Sequence, residues 1–277
     1  MGWRKRCDSV SRLAVDRIFR DALRDGCMPA RRARSRACSI RTLAPFDPPL
    51  LVVTDRQLFP APSSGEVFAA AEWAALEAIT AAAPGALQLR EKHLPGGRLL
   101  ARAEALVALC AAHDVKLLVN DRADVARLAS AAGVHLPAAA MAVEDARRGA
   151  TFAQSNRRVL VGRSVHHPEE ARLAAAEGAD YVVFGPIFDT PSKRGFGPPQ
   201  GLERLGEVCR SCPIPVIAIG GISVETVPLL VERGAAGIAV LRAVLAAASP
   251  GAATLAFREA LRAAGVCGTS LEAQRGR

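Results

Sequence analysis

The sequence lacks any long hydrophobic run, and this absence excludes one class of protein. Half of the 277 residues are hydrophobic, yet no stretch approaches the roughly 18 uninterrupted apolar residues that a membrane-spanning helix needs. The first residues also lack the apolar segment of a secretory signal peptide. We therefore expect no membrane partner and a cytoplasmic protein.

Cysteines are present, but they lack the spacing of a disulfide framework. There are seven, scattered along the chain, and an odd number of thiols in a chain of this size predicts a reducing compartment. Cys209 and Cys212 form a lone C-x-x-C pair, which provides half of a four-ligand zinc site. The pattern disfavours structural zinc and redox functions.

Acidic residues are scarce at the start of the chain. The first 49 residues carry 12 of the 36 lysines and arginines but only 5 of the 27 acidic residues, so most of the total charge of +9 lies there. This segment lacks interleaved aromatic residues and a consistent helical face, and we expect no nucleic-acid partner. Residues 1–48 are predicted to be a basic, disordered extension, with Met28 as an alternative start.

What the sequence does contain is a regular alternation of short apolar runs and Ala/Leu/Arg-rich segments with helical periodicity. Runs this apolar are typical of strands buried on both faces of a parallel sheet. Eight repeats predict a single α/β domain over residues 49–265, a (β/α)8 TIM barrel, with a C-terminal tail at residues 266–277. In this fold the functional groups lie where strands end. The eight runs begin near residues 50, 87, 116, 133, 159, 181, 216 and 237.

The end of the fifth run carries the strongest candidate for acid-base chemistry. Ser164 and His166 share one face of that strand, because side chains alternate with period two. A histidine titrates near neutral pH, which makes His166 the leading general acid or base. We find no acidic partner for a catalytic triad nearby, so hydrolase chemistry is not supported. His135, inside the fourth run, is interpreted as a satisfied core residue.

The end of the second run carries a cationic cluster. Gln88 and Arg90 lie on one face and Lys92 follows, an arrangement that suits a phosphorylated ligand. Surface charge is the alternative interpretation, for which Arg98 and Arg102 are better placed.

Further groups at strand ends suit anions. Paired glycines let backbone N–H groups approach a phosphate, and hydroxyls with a lysine form an anion clamp. We predict two anion sites, one near Gly220 and one near Lys193. The candidate residues are Thr190, Ser192 and Lys193 after strand six, Gly220 and Gly221 after strand seven, and Leu241 and Arg242 after strand eight.

Asn120 and Asp121 follow the third run. Asp121 either binds a hard divalent cation or caps the helix that begins near Ala123, because both uses require similar geometry.

Together these motifs resemble the thiamine phosphate synthase/TenI superfamily over about residues 50–263. The superfamily implies a thiamine-biosynthesis enzyme acting on thiazole phosphate, with one of two activities. One is a thiazole tautomerase, which moves protons and needs no cofactor. The other is a thiamine phosphate synthase, which joins a pyrimidine diphosphate to thiazole phosphate with Mg²⁺. The motifs occupy residues 53–55, 88–92, 120–122, 133–136, 162–166, 180–186, 190–193 and 218–222.

Two departures bear on the choice between these activities. The synthase pattern has a second metal-binding carboxylate after His135 and Leu136, where this chain continues with Pro137. The sequence at residues 162–166 resembles the tautomerase, in which the histidine at the position of His166 moves the proton. The loop with Thr190, Ser192 and Lys193 instead resembles the diphosphate loop of the synthase.

We therefore expect a tautomerase, with the synthase as the alternative and Asp121 as metal ligand only in the synthase. In the synthase, Asn120 and the strand-end groups would bind the phosphorylated thiazole and the pyrimidine diphosphate. A third alternative is a non-catalytic barrel that binds thiazole or thiamine phosphate as a regulator. Homo-oligomer formation is left open.

Overall fold

The computed structural model describes residues 44–151, 158–190 and 198–266. Most of the predicted basic extension, the C-terminal tail from residue 267, and two predicted anion-binding residues, Ser192 and Lys193, lie outside these ranges. The expectations for them stay predictions.

Eight parallel strands close into one barrel in sequence order, with β8 pairing back onto β1. This confirms the predicted (β/α)8 architecture, and each predicted apolar run overlaps one strand. The strands are β1 Leu50–Val53, β2 Ala86–Leu89, β3 Lys116–Asn120, β4 Gly133–Leu136, β5 Leu160–Val165, β6 Tyr181–Phe184, β7 Val216–Ile219 and β8 Gly237–Val240.

Helices connect the strands and cover the outside of the barrel. Short 3-10 turns at Arg56–Leu58 and Val224–Thr226 precede two of them. In the described part of the chain the α-helices are α1 Ala70–Ala81, α2 Gly96–Ala111, α3 Ala123–Leu128, α4 Val143–Ala150, α5 Pro168–Ala176, α6 Gly201–Ser211, α7 Val227–Glu232, α8 Arg242–Leu245 and α9 Pro250–Ala263.

Alternate residues of each strand face opposite sides of the barrel wall, as period two requires. Leu50 and Val52 pack outward with the helices, whereas Leu51 and Val53 belong to a separate cluster that fills the barrel interior. The apolar runs are therefore continuous because both faces of each strand are buried.

The interior cluster reaches further back along the chain than the predicted domain boundary at residue 49. Phe46 is 2% exposed and packs in the barrel interior, edge-on against the ring of Tyr181 with centroids 5.7 Å apart. Sequence reasoning assigned Phe46 to the extension because an isolated aromatic residue in a proline-rich segment has no periodic partner.

The lone C-x-x-C pair lies at the end of α6 and beyond it. Burial raises the pKa of the Cys209 thiol to about 12 and also raises that of Cys212. The Cys212 thiol donates a hydrogen bond to the carbonyl of Ala171. Since the thiolate is the form that binds metals and attacks disulfides, this environment disfavours both uses.

None of the helices in the described part of the chain combines the length and hydrophobicity that crossing a bilayer demands.

Candidate active site

Four polar side chains lie on the inner wall of the barrel, near the carboxyl ends of four consecutive strands: Gln88, Asn120, His135 and Ser164. The register places Asn120 opposite His135. The Gln88 amide Nε2 donates to Asn120 Oδ1 at 3.2 Å. Three of these residues, Gln88, Asn120 and Ser164, are predicted site residues, and the structure places them on the same inner wall.

His135 links this group to the deeper interior. Its Nδ1 lies 3.1 Å from the hydroxyl of Tyr181, and its Nε2 lies 2.9 Å from Ser164 Oγ. Burial, helped by the charge of Arg90, lowers the pKa of His135 to about 3. The interpretation of His135 as a satisfied core residue is confirmed, but its contact with Ser164 was missed.

His166 lies one residue beyond the end of β5. Its backbone N–H donates to the Glu170 carboxylate at 2.6 Å. Its Nδ1 lies 2.8 Å from the carbonyl oxygen of Gly185. Because a carbonyl only accepts, Nδ1 carries a proton, and in the neutral ring Nε2 is the acceptor. His166 can therefore exchange a proton through Nε2.

The end of β2 is attached to the end of β1. The backbone N–H of Arg90 donates to the Thr54 hydroxyl at 3.0 Å. Arg90 is half-buried and close enough to His135 to lower its pKa, which agrees with a position in the barrel mouth. Lys92 is exposed beyond the strand.

Glu91, between these two cations, faces away from them into a buried ionic cluster. Its carboxylate accepts from the backbone N–H of Arg56 at 3.3 Å and lies 3.4 Å from the Arg56 guanidinium. Burial is the main cause that raises the pKa of Glu91 from 4.5 to about 7, and the nearby charge of Glu72 adds to it.

Arg102 is the centre of this cluster. It is 2% exposed, pairs with the carboxylate of Glu72, and lies 3.9 Å from the centroid of the Phe68 ring. The interpretation of Arg102 as a surface charge is wrong. A polar side chain on a helix gives no indication of partners 30 positions away, so the sequence alone could not have shown them.

Asp121 follows β3 with a positive φ of 65° and an exposed side chain. Helix α3 begins at Ala123 with Arg122 as N-cap and without a side-chain capping bond. The capping alternative for Asp121 is therefore wrong. Its backbone N–H donates to His135 O at 2.9 Å, and its side chain borders a cavity of about 640 Å³ that Arg122 and Arg148 also line.

The described residues contain no group of three or more His, Cys, Asp or Glu side chains arranged to hold a metal. The nearest acidic residues after Leu136 in the sequence are Glu144 and Asp145. Both lie in the first turn of α4, and Asp145 pairs with Arg148. Mg²⁺ commonly binds through one or two carboxylates together with substrate phosphates and waters. A single exposed Asp121 fits a Mg²⁺ ion that binds with a diphosphate, not one caged by protein alone.

Arg163 holds the segment at residues 138–141, which follows Leu136 where the synthase pattern has its second carboxylate. From the outer face of β5, its guanidinium donates to the carbonyls of Ala138 at 3.0 Å and Met141 at 3.1 Å and pairs with Glu177. Within the stretch of residues 162–166, Arg163 therefore has a structural use, which its position on the outward face could have indicated.

Close packing explains why glycines occupy both positions after β7. Gly220 has φ +103°, and a Cβ there would lie 2.5 Å from Pro186 Cβ. Gly221 has φ +65°, and its Cβ would lie 2.7 Å from Asp189 O. Close packing under the loop after β6 thus requires both glycines, and anion binding by their N–H groups stays a prediction.

The remaining predicted anion groups lie around the same rim. Thr190 Oγ1 donates to Phe188 O at 3.2 Å, in the loop after β6. Leu241 precedes α8, and Arg242 is exposed at its first position. Because β7 and β8 are neighbours, the ends carrying Gly221 and Leu241 lie side by side.

Known proteins resemble this chain over most of the barrel. The profile of the family described as thiamine monophosphate synthase matches residues 50–244. A thiamine-phosphate synthase of Anaeromyxobacter dehalogenans is 46% identical over 64% of this chain and 78% of its own length. One of Roseiflexus castenholzii is 40% identical over 74% of this chain and 85% of its own length.

Solved structures agree. The thiamine phosphate pyrophosphorylase of Pyrococcus furiosus is 32% identical, with a TM-score of 0.64, covering 78% of this chain and 96% of that one. A 3-hexulose-6-phosphate synthase at 23% identity and TM-score 0.54, covering 76% of this chain and 98% of its own, shares the fold alone. The relatives named thiamine-phosphate synthase support the synthase alternative, and the expected tautomerase gains no support from them.

Proposed function

The chain belongs to the thiamine monophosphate synthase family, and from this premise we propose that it is a thiamine phosphate synthase. It would join hydroxymethylpyrimidine diphosphate to thiazole phosphate and release diphosphate. The observation that carries the proposal is the identity of 46% and 40% to two relatives named thiamine-phosphate synthase. The tautomerase becomes the second candidate.

The proposed reaction makes one demand on the site. The C–O bond between the pyrimidine methylene and the diphosphate breaks, and its electron pair leaves on the diphosphate oxygen. The lone pair of the thiazole nitrogen then forms the new C–N bond, so no oxidant or base is consumed. Negative charge grows on the leaving diphosphate, and fixed positive groups and hydrogen-bond donors stabilise it.

The groups at the barrel mouth suit this demand. Arg90 and Lys92 are cations at the end of β2, and Ser164 adds a hydroxyl at the end of β5. We assign Thr190, Ser192 and Lys193 to the same diphosphate. Gly220, Gly221, Leu241 and Arg242 would bind the phosphate of the thiazole, and Gln88 and Asn120 would orient the reacting rings through their amides.

Asp121 is the residue we assign to Mg²⁺. When bound, the ion would neutralise part of the diphosphate charge. Asp121 would hold it from the exposed end of β3, with the substrate phosphates and water as the other ligands. The partners of the protein are then two small phosphorylated molecules.

One geometric observation favours the second candidate. Nδ1 of His166 is bonded to Gly185 O, which leaves Nε2 of the neutral ring as a base for the proton transfer of a tautomerase. The synthase reaction does not require this base.

The proposal is tested by incubating the full chain with both substrates and following thiamine phosphate. We expect formation that requires Mg²⁺ and stops with EDTA. Asp121→Asn should reduce kcat/KM at least about a hundredfold, since electrostatic stabilisation by a metal contributes several kcal/mol. Asparagine tolerates a positive φ, so this substitution leaves the backbone unstrained.

The matched control is Glu104→Gln, which neutralises an exposed carboxylate on α2 and should leave activity unchanged. Binding of both phosphorylated substrates without turnover would overturn the proposal in favour of the regulator. Aromatisation of a thiazole carboxylate phosphate without Mg²⁺ would overturn it in favour of the tautomerase.

A further inference from the structure

The single tyrosine of the chain, Tyr181, lies at the inner end of a polar chain through the barrel. Its hydroxyl is 3.1 Å from His135 Nδ1, and His135 Nε2 is 2.9 Å from Ser164 Oγ. The three residues lie on β6, β4 and β5, which are neighbours in the wall. We call Tyr181, His135 and Ser164 the interior relay.

Gly162 is the position that makes this relay fit. A Cβ on Gly162 would lie 2.1 Å from Cζ and 2.4 Å from the hydroxyl oxygen of Tyr181. The absence of a side chain on β5 thus lets the tyrosine ring reach across the interior to His135. Phe46 also packs edge-on with this ring.

Both buried members of the relay are neutral. His135 is 3% exposed, and its two ring nitrogens face the uncharged hydroxyls of Tyr181 and Ser164, so no carboxylate of the described residues stabilises a charged imidazole there. Burial raises the pKa of Tyr181 above its ordinary value, so the phenol keeps its proton. A neutral imidazole has one N–H donor and one bare nitrogen acceptor, which leaves only two hydrogen-bond arrangements.

In the first arrangement Nδ1–H donates to the Tyr181 oxygen and the Ser164 hydroxyl donates to Nε2. The Tyr181 hydrogen then has no acceptor, because the only hydrogen-bond partner of the Tyr181 hydroxyl among the described residues is His135. A buried hydroxyl without a partner costs more than a typical hydrogen bond gains.

In the second arrangement Tyr181 donates to Nδ1, and Nε2–H donates to Ser164 Oγ. Every buried donor then has an acceptor. The hydrogen of Ser164, which is half-buried at the mouth, remains available to a ligand. This is the arrangement that the satisfaction of buried polar groups selects.

We propose that His135 is a positioning residue that holds Ser164 as a hydrogen-bond donor into the barrel mouth, with Tyr181 fixing its tautomer. The inference rests on the proposed function for the identity of the acceptor, an oxygen of the diphosphate. It also implies that Ser164 is not a nucleophile, since His135 has no bare nitrogen facing it.

The tautomer can be measured directly on the full chain labelled with ¹⁵N-histidine. There are five histidines, and His135→Gln identifies the signal of His135. We expect the Nε2–H tautomer for His135. His166, bonded through Nδ1 to Gly185 O, should show the opposite tautomer in its neutral form, which provides an internal reference. An Nδ1–H tautomer of His135 would overturn the proposal.

Binding of inorganic pyrophosphate with Mg²⁺ tests the donor. Ser164→Ala should weaken binding about tenfold, the change that corresponds to one hydrogen bond to a charged group. Tyr181→Phe, which keeps the ring, should weaken it about threefold or more. In the double variant the effects should not add, because residues that act through one another are coupled. Fully additive losses would overturn the positioning role of Tyr181.

Phe46→Leu is the matched control, because it alters packing on the same ring but no hydrogen bond. It should lower stability and leave pyrophosphate affinity unchanged. An equal loss of affinity in Phe46→Leu and Tyr181→Phe would reduce the relay to core packing and overturn the proposal. Failure of the wild-type chain to bind pyrophosphate would overturn the proposed function, whereas the histidine spectrum would still decide the tautomer. If Tyr181→Phe does not fold, the histidine spectrum of the wild-type chain still identifies the tautomer of His135.

Discussion

The guanidinium of Arg102 lies 3.6 Å from the carboxylate of Glu91, and the two side chains are only 3% and 5% exposed. One end of this contact is helix α2 and the other is the end of β2, directly between Arg90 and Lys92. The buried ionic cluster therefore supports the strand end that we assign to the diphosphate. It consists of the buried Glu72, Glu91 and Arg102, with the partly exposed Arg56 at its edge.

Glu91 should make stability depend on pH. Burial raises its pKa from 4.5 to about 7, so between these values the folded protein holds a proton that the unfolded chain releases. The free energy of unfolding then falls as pH rises through this window. Glu91→Gln should remove this part of the dependence, on the order of 3 kcal/mol at roughly 1.4 kcal/mol per pKa unit.

Urea denaturation of wild type and Glu91→Gln at several pH values on both sides of this window measures the difference. Glu104→Gln, on the exposed face of α2, serves as control and should follow the wild type. Parallel curves for wild type and Glu91→Gln would contradict the prediction.

Arg102→Met should be among the more destabilising changes in the chain. It leaves the buried carboxylate of Glu72 without its partner, and breaking a buried pair from one side costs about 3 to 5 kcal/mol. Adding Glu72→Gln should recover part of the loss, because no buried charge then remains unpaired. Chemical denaturation provides the measurement. Arg98→Met, on the exposed side of the same helix, should change stability by less than about 0.5 kcal/mol.

The buried contacts of Arg102 and His135 show how far the sequence could predict the structure. Strand order and strand-end residues followed from local apolar periodicity, and all eight strands were predicted. The contacts of Arg102 with Glu72, and of His135 with Tyr181, join residues 30 and 46 positions apart. Local patterns contain no information on such pairs, and the same reason hid the burial of Phe46.

The expected tautomerase gains no support from the relatives for a different reason. Judged from the sequence, the missing carboxylate after Leu136 disfavours a metal-dependent reaction, and residues 162–166 favour proton transfer. Three of those five residues have packing or hydrogen-bonding roles within the barrel wall. Gly162 makes room for Tyr181, Arg163 holds the loop at residues 138–141, and Ser164 contacts His135.

Gly162→Ala should destabilise the barrel. Its Cβ would lie 2.1 Å from the ring of Tyr181, and overpacking of this kind costs about 1 to 3 kcal/mol. A smaller residue at position 181 should relieve the clash, so Gly162→Ala with Tyr181→Val should lose less than the two single losses combined. The control is Gly97→Ala in α2, where a Cβ meets nothing within 4 Å. This substitution should be neutral or slightly stabilising. Thermal and urea denaturation distinguish these outcomes, and an unaffected Gly162→Ala would mean that Tyr181 does not occupy this space.

Arg90→Ala and Lys193→Ala should each weaken the binding of the pyrimidine diphosphate. A hydrogen bond to a charged group contributes about 1.5 to 3 kcal/mol, so we expect dissociation constants at least about tenfold higher by calorimetry. Arg98→Ala removes an exposed arginine of α2 that is not among the predicted ligand-binding residues, and this variant should bind normally. Wild-type affinity in both test variants would place the diphosphate elsewhere on the barrel.

His166→Ala decides between the two candidate reactions, because only one of them moves a proton through this ring. In the synthase, the bond that breaks is carbon–oxygen and charge on the diphosphate controls the barrier. His166→Ala should then reduce kcat less than about tenfold, whereas Asp121→Asn removes the metal contribution and reduces it far more. In a tautomerase the order reverses, since general acid-base catalysis contributes about 10² to 10⁴ in rate. The measurement is kcat for both variants with each substrate set, at saturating Mg²⁺ and with EDTA. A loss above about a hundredfold in His166→Ala, together with indifference to EDTA, would contradict the synthase and identify Nε2 of His166 as the reacting base.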